Sequence, residues 1–277
     1  MIEKVFFLIM IISVLMTLNI QANDNDLVKV RLISEVRSLQ PGYPFWIGIY
    51  FNIKKDWHIY WRNPGDSGLP VKVTWKLPEG FQADEILWPI PEVIKSPQLV
   101  NYGYKNNVLL LCKISPPATL TNTQVNLLAK VSWLVCKEAC LPGEKEVKLT
   151  LTVKDQTPSF SEWKDIFDDI RKQLPLNIKD WHMEANVDQN KIFLYLKKPD
   201  WFTKKLRTIL FLPYDSNLID HTAVQRISLD RGIYKLELKR SSYSNKTPQQ
   251  IEGILISNYG WDKKGEIKAL KINVQSK

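Results

Sequence analysis

The stretch "VSWLVCKEACLPGE" (131–144) decides the fold prediction, because apolar and polar residues alternate along it until a Pro-Gly pair interrupts the pattern. With a period of two, Val131, Trp133 and Val135 share one face of an extended strand, and Cys136 falls on the other face. Such alternation is typical of a strand that is buried on one side only. The stretch therefore predicts a β-strand that packs on one face and ends in a turn holding two cysteines.

The same rhythm recurs on both sides of this stretch, in short runs separated by Pro, Gly, Asn and Asp clusters. The predicted strands of the first half are Val28–Ser34, Pro44–Ile53, His58–Arg62, Lys72–Lys76, Val108–Ile114, Val125–Val135 and Glu146–Val153. Short strands at this spacing are typical of an antiparallel sandwich of the immunoglobulin type. We therefore expect residues 23–154 to form an all-β domain.

A helical pattern follows this region. In FSEWKDIFDDIRKQL (160–174) the apolar residues fall at helical spacing, and Ser159 and Glu162 fit a capping box at its start. We predict a helix here, within a short linker (155–176) that joins two domains.

Alternation resumes after the linker. The predicted strands are Trp181–Val187, Lys191–Lys197, Thr208–Leu212, Val224–Leu229, Gly232–Lys239, Gln250–Ser257 and Ile267–Val274. A second immunoglobulin-like β-sandwich at 177–277 is the simplest interpretation. This segment contains no cysteine and no evident catalytic cluster, which favours a structural or partner-binding role.

The chain begins with MIEKVFFLIMIISVLMTLNIQA (1–22), in which an apolar run from Val5 to Ile20 follows a single lysine. This pattern predicts a signal peptide that is cleaved after Ala22. An uncleaved membrane anchor is the alternative, but the run is short of the ~20 residues that a spanning helix needs. We therefore expect the mature protein to lie outside the cytoplasm.

The formal net charge is +9 at pH 7, spread over the chain without a dense block of lysine and arginine. Spread basic charge favours acidic partners or an anionic surface. It does not indicate nucleic-acid binding, and a basic exported protein is the preferred interpretation.

The chain has three cysteines, and the pair in the opening stretch allows a structural staple, half of a metal site, or a redox-active disulfide. Structural zinc uses four ligands at recognisable spacing, whereas the third cysteine, Cys112, and the histidines His58, His182 and His221 are scattered. The C-x-x-C-H motif of covalent haem is absent. Metal binding is therefore disfavoured.

A disulfide between Cys136 and Cys140 closes a small loop and adds less than the ~3 kcal/mol expected for a 15-residue loop. Redox-active pairs are often close in sequence and within reach of a partner thiolate. Lys137 favours a thiolate at Cys136, whereas Glu138 opposes it. From the spacing, a redox-active pair and a staple stay equally open.

Cys112 has a different setting, in the apolar run VLLLCKI. It shares a strand face with Val108, Leu110 and Ile114, and unpaired cysteine is among the most buried residue types. The pattern predicts a buried, unreactive thiol.

Four motifs in order resemble one family. WHIYWRNPGDSGLP (57–70), LWPIPE (87–92), LVNYGYKNNVLLL (99–111) and WLVCKEACLPGE (133–144) are similar to the N-terminal periplasmic domain of the DsbD and ScsB thiol:disulfide interchange proteins. The resemblance covers residues 28–153. It implies an immunoglobulin-like sandwich whose cysteine pair transfers electrons, and a thiol:disulfide oxidoreductase activity that needs no cofactor. It also implies a connection with cytochrome c biogenesis and, together with the signal peptide, a location in the periplasm of a Gram-negative bacterium.

The resemblance also implies roles for individual residues. Cys136 and Cys140 match the redox pair, with Cys140 forming mixed disulfides and Cys136 resolving them. Tyr102, Gly103 and Tyr104 match a cap loop that shields the pair, although tyrosines packed at a turn would look the same. His58, Tyr60 and Trp61 match a strand beside the site, where aromatic residues are also common in the core.

The expected partners follow from the same resemblance. Family members continue into a membrane domain and often a thioredoxin domain, neither of which this sequence shows. We therefore expect a membrane electron donor of the DsbD/CcdA type to act in trans, and periplasmic proteins of thioredoxin fold to be the partners. The rival hypotheses are a non-enzymatic binding or chaperone module with a structural disulfide, and a copper-binding protein.

Overall fold

A computed structural model describes residues 27–244 and 246–277, so the signal peptide predicted at 1–22 lies outside the described residues. Nearly all regular structure is β-strand in antiparallel sheets, and the described residues contain a single helix. The predicted all-β class with immunoglobulin-like sandwiches is therefore confirmed. Within the described part of the chain, no helix is long and apolar enough to cross a membrane.

The first half of the chain forms two facing sheets, which we name the N-terminal sandwich. Its strands are β1 (Val28–Ser34), β2 (Ser38–Leu39), β3 (Phe45–Ile53), β4 (His58–Gly65), β5 (Lys72–Lys76), β6 (Gln82–Ala83), β7 (Glu92–Lys95), β8 (Val100–Lys105), β9 (Asn107–Ser115), β10 (Gln124–Cys136) and β11 (Cys140–Val153). One sheet has the order β1-β3-β9-β6, and the other has the order β2-β11-β10-β4-β8-β7, with β5 also paired to β10. The core lies between the two sheets.

The hairpin of β10 and β11 forms the centre of the second sheet. Val131, Trp133 and Val135 are buried at 0%, 6% and 1% exposure, as the alternation predicts. β10 pairs with β5 along its middle and with β4 at its end, at Val135↔Ile59. Since β4 and β5 use different parts of β10, the chain between them must leave the sheet and return. Residues 63–69, which comprise the irregular end of β4 and the turn after it, form most of this connection.

The helix α1 (Lys164–Arg171) is shorter than the predicted helical segment and packs on the N-terminal sandwich. The predicted capping box does not form, because the N-cap position is Trp163 and no side chain caps it. Instead, Ser161 accepts a hydrogen bond from the Trp163 amide and donates one to the Ser34 carbonyl. The start of α1 is thus fixed by a contact with β1 that the local sequence does not reveal.

The second half of the chain forms the C-terminal sandwich. Its strands are β12 (His182–Val187), β13 (Lys191–Lys197), β14 (Ile209–Pro213), β15 (Arg226–Asp230), β16 (Ile233–Lys239), β17 (Gln250–Ser257) and β18 (Ala269–Gln275). The sheets have the orders β12-β13-β16-β15 and β14-β17-β18. Trp181 and Trp261 pack edge to face in its core, with ring centroids 5.0 Å apart.

The two sandwiches share an apolar interface. Leu212, Ile254 and Ala269 of the C-terminal sandwich are fully buried and belong to the same hydrophobic cluster as the N-terminal core. Burial of apolar area against a neighbouring domain stabilises one arrangement of the two. The interface therefore fixes where the C-terminal sandwich meets β4 and β8.

Candidate redox site

The two cysteines of the β10–β11 hairpin are joined by a disulfide. Cys136 ends β10, Cys140 begins β11, and the two residues are direct register partners with Cα atoms 4.2 Å apart. The bond closes a sequence separation of 4 residues. Because the hairpin already holds these residues together, the crosslink restrains the unfolded chain only slightly.

The two sulfurs differ in exposure. Cys136 is 2% exposed, whereas Cys140 lies exposed at the start of β11. An attacking thiolate must approach one sulfur of a disulfide and displace the other. Access therefore favours attack at Cys140, which leaves the buried Cys136 as the displaced sulfur.

Tyr60 contacts the disulfide directly. Its hydroxyl donates a hydrogen bond to Cys136 Sγ at 3.0 Å and lies 3.8 Å from Cys140 Sγ. Burial raises the pKa of Tyr60, so this hydroxyl keeps its proton at neutral pH. Because Cys136 pairs with His58 across β10 and β4, the residue two further along, Tyr60, projects from the same face of the sheet as Cys136. A donor therefore faces the sulfur that becomes negative when the bond opens.

His58 lies on the same face, with its ring edge-on to Tyr60 at a centroid distance of 5.1 Å. Burial, and then the nearby ammonium of Lys105, lower the pKa of His58, so the ring is neutral at pH 7. Its Nε2 atom is buried and has no hydrogen-bond partner among the described residues. The site thus contains a neutral imidazole rather than a cation.

The charges beside the cysteines lie on the surface. Lys137 Nζ is 3.5 Å from Asp56 Oδ2, and these side chains are 45% and 59% exposed. Exposed ion pairs of this kind contribute little free energy. Since Asp56 shares the Lys137 ammonium, local charge gives no strong preference for a thiolate at Cys136.

The predicted cap tyrosines lie away from the sulfurs. The segment expected to be a cap loop is strand β8, and its Gly103 pairs with Tyr60. Tyr102 and Tyr104, the neighbours of Gly103, therefore point to the opposite face of the sheet, where they belong to the hydrophobic core together with Trp61. The Tyr104 hydroxyl donates to the Pro89 carbonyl at 2.7 Å. We therefore correct the assignment of these two tyrosines as the shield.

Gly103 has a role in backbone packing. A Cβ atom at this position would lie 2.2 Å from the Ile59 carbonyl oxygen, closer than any real contact. Glycine thus allows β8 to lie against β4, which holds Tyr60 in register with Cys136.

Residues 63–69 cover Tyr60 instead, and we name them the cover segment. At Gly68, φ is +98° and an added Cβ would lie 2.3 Å from the Tyr60 ring. The ring is only 2% exposed. Gly65 and Gly68, on either side of Asp66 and Ser67, are the sequence signal that was available for this close approach.

Cys112 stays separate from this site. Cys112 is unpaired and fully buried, as predicted, and burial, followed by the Asp84 carboxylate, raises its pKa to about 12. Its thiol donates to the Asp84 carbonyl at 3.2 Å. Within residues 27–244 and 246–277, no group of three or more His, Cys, Asp or Glu side chains could hold a metal ion.

Fold and site together define a class of protein: an immunoglobulin-like β-sandwich domain that presents a disulfide between cysteines close in sequence. Residues 24–152 match the family described as thiol:disulfide interchange protein DsbD, N-terminal. This part of the chain belongs to that family, and the recognition made from its motifs is confirmed. A comparison with curated proteins found no match.

Solved structures extend the likeness to both sandwiches. The N-terminal periplasmic domain of ScsB from Proteus mirabilis aligns with 92% of this chain and 96% of its own, with a TM-score of 0.64 and 12% identity. At this identity the likeness shows the fold alone. The pilin subunit BcpA of Bacillus cereus has 12% identity over 90% of this chain and 67% of its own, with a TM-score of 0.27. The E. coli chaperone DraB has 10% identity over 90% of this chain and 98% of its own, with a TM-score of 0.24. These two scores are too low to support an inference.

Proposed function

We propose that the protein is a periplasmic thiol–disulfide exchange module that relays electrons between a membrane reductant and periplasmic disulfide partners. The observation that carries the proposal is the unequal setting of the two sulfurs in a DsbD-type domain. Cys140 is open to an incoming thiolate, while Cys136 is buried and accepts a hydrogen bond from Tyr60. A staple would gain nothing from this asymmetry.

In the reductive half-reaction, a donor thiolate attacks Cys140 Sγ and displaces Cys136 as a thiolate. The Tyr60 hydroxyl, 3.0 Å from Cys136 Sγ, stabilises the charge that forms there. A second donor thiolate then attacks the mixed disulfide. The donor leaves as a disulfide, and the pair has gained two electrons.

In the oxidative half-reaction, the Cys140 thiolate attacks a partner disulfide and forms a mixed disulfide with one partner sulfur. The other partner sulfur leaves as a thiolate. Cys136 then attacks Cys140 Sγ, the Cys136–Cys140 bond forms again, and the partner is released with two thiols. Cys140 is thus the contacting sulfur and Cys136 the resolving one.

The rest of the proposal concerns location and partners. Residues 1–22 would direct export, residues 23–154 would carry the chemistry, and residues 177–277 would form the second domain after the linker. A membrane protein of the DsbD/CcdA type would supply electrons in trans. Partners of thioredoxin fold suit the site, because their own exposed sulfur can meet Cys140 without displacing the cover segment.

The decisive experiment is the reduction potential of the Cys136–Cys140 pair in the mature protein. It is measured by equilibration with glutathione or dithiothreitol, thiol trapping and intact mass. Structural disulfides of secreted proteins lie below about −300 mV. We expect a potential clearly above this value with full reversibility. A value below it would refute the exchange function and favour the binding or chaperone module.

A further inference from the structure

We propose that the C-terminal sandwich braces the cover segment against Tyr60, the residue that contacts Cys136 of the disulfide, and that Asn63 is the positioning residue that connects the C-terminal sandwich to this segment. The proposal gives the C-terminal sandwich a role at the redox site. It rests on the proposed exchange function for its biological purpose, but the exposure of the disulfide can be measured without that function.

The connection begins at the sulfur. Tyr60 donates to Cys136 Sγ, and the Tyr60 ring is packed against Gly68 of the cover segment. Tyr60 can leave the sulfur only if Gly68 moves with it or makes room. Cys140 is exposed to a small thiol in either case, so the position of the cover segment decides whether Cys136 can be attacked as well.

One side of the cover segment is held by β8. Asp66 exchanges two hydrogen bonds with Val100: its amide donates to the Val100 carbonyl at 3.0 Å, and its Oδ2 accepts from the Val100 amide at 2.7 Å. The Asn101 side-chain amide donates to the carbonyls of Pro64, at 2.9 Å, and Ser67, at 2.6 Å. These bonds fix the segment to its own sandwich.

The other side is held by the C-terminal sandwich through Asn63, which is 1% exposed. Its Nδ2 donates to the Pro213 carbonyl of β14 at 2.7 Å, while its Oδ1 accepts from the Gly65 amide at 2.9 Å. A single buried side chain thus joins the C-terminal sandwich to the turn that carries Gly68. An amide has the donor and the acceptor that these two bonds require.

Two further contacts reinforce the brace on either side of Asn63. The guanidinium carbon of Arg62 lies 4.0 Å from the centroid of the Tyr214 ring. The centroids of the Tyr214 and Trp61 rings are 5.8 Å apart. Tyr102 of β8 shares a hydrogen bond of 2.9 Å with His221 Nδ1. Both β4, which leads into the cover segment, and β8, which is hydrogen-bonded to it, therefore contact the C-terminal sandwich.

The test compares rates of disulfide reduction by dithiothreitol in the full mature chain, followed by thiol trapping. Tyr214→Ala removes interface contacts from the far sandwich without touching the cover segment. We expect it to raise the rate by about twofold, because dithiothreitol can then attack Cys136 as well as the exposed Cys140. The matched control is Tyr195→Ala on β13, since Tyr195 is also half-buried and contacts Lys235 of its own sandwich.

A second measurement separates bracing from general loosening. Amide hydrogen exchange at Gly65 and Asp66 should accelerate in Tyr214→Ala and stay unchanged in Tyr195→Ala. Asn63→Ala should give the larger effect on both readouts, and if that variant does not fold, Tyr214→Ala decides alone. Unchanged rates in Tyr214→Ala, or equal increases in Tyr195→Ala, overturn the proposal. A wild-type potential below that of exchange proteins would refute the exchange function while leaving this comparison of rates intact.

Discussion

The buried tryptophans of the two sandwiches differ in whether their indole N–H groups are hydrogen-bonded. In the C-terminal sandwich, Trp181 Nε1 donates to the Trp261 carbonyl at 3.0 Å, and Trp261 Nε1 donates to the Leu255 carbonyl at 2.8 Å. In the N-terminal sandwich, the Nε1 atoms of Trp61 and Trp133 are buried without a hydrogen-bond partner among the described residues.

Trp61 and Trp133 belong to the domain that carries the disulfide, but they lie in its core, on the sheet face opposite Tyr60 and Cys136. An unsatisfied buried donor costs about 1–3 kcal/mol, and His58 Nε2 is a third buried atom of this domain without a partner. Arg240 Nε of the C-terminal sandwich is likewise buried without a partner among the described residues, so the contrast between the sandwiches concerns the tryptophans: both indole donors are satisfied in the C-terminal sandwich, and those of Trp61 and Trp133 of the N-terminal sandwich are not.

The largest effect is expected when either cysteine of the redox site is replaced by serine, which leaves only one sulfur to react. With Cys136→Ser, the exposed Cys140 thiolate should accumulate a mixed disulfide with an oxidised thioredoxin-fold protein, because no resolving thiolate is left. With Cys140→Ser, the buried Cys136 should give at least tenfold less adduct. Non-reducing electrophoresis and intact mass measure both. Equal trapping by the two variants would contradict the assigned roles.

The next largest effect concerns the tryptophans. Trp261→Phe leaves the Leu255 carbonyl without its indole donor and should lower the free energy of unfolding by about 1–3 kcal/mol beyond the loss of packing. Trp61→Phe removes a donor that has no partner, so it should cost only the packing term. Urea unfolding of both variants measures the difference. If Trp61→Phe is the more damaging, the contrast between the sandwiches is wrong.

A smaller effect is expected from the disulfide itself. A loop with a sequence separation of 4 residues contributes roughly 2 kcal/mol or less by chain entropy. Cys136→Ser/Cys140→Ser should therefore lower the melting temperature of the N-terminal sandwich only modestly. Calorimetry of the variant and the oxidised wild type measures this change, and a large loss of stability would favour a structural staple.

The smallest effect is a pH dependence from His58. Its folded pKa lies below the ordinary value of 6.5, because burial and then Lys105 disfavour the cation. The unfolded chain therefore binds a proton first, so the stability contribution is present above pH 6.5 and is lost as pH falls toward the folded pKa. Urea unfolding at pH 7.5 and 5.5 should show this loss in the wild type and less of it in His58→Gln. An unchanged difference in the variant would assign the loss to other groups.

Much of the fold could be predicted because strand alternation is local. β1, β5, β13 and β17 begin and end at the predicted residues, and the inward face of β10 is as expected. The missed strand β8 contains Asn101 and Gly103, residues that are typical of turns. The extended conformation of β8 depends on pairing with β4, which is distant in sequence, and with β7, which was not predicted from the sequence.

The candidate site was also predictable in part from the sequence. The cysteine pair and the nearby His58–Tyr60 strand were found from the motifs. The position of the shield was not, because the side of the sheet on which Tyr102 projects depends on the register between β8 and β4. A shift of one residue in register exchanges the two faces.

The sequence by itself determined the all-β class, the strands with strong alternation, the buried Cys112 and the cysteine pair at a hairpin, since each depends on neighbours along the chain. Only the tertiary structure decided that Tyr60 contacts the disulfide, that residues 63–69 cover Tyr60, and that Asn63 connects this cover segment to Pro213. These contacts join residues that are far apart in the chain, and they depend on sheet register and on the packing of one sandwich against the other. No local pattern encodes either of those.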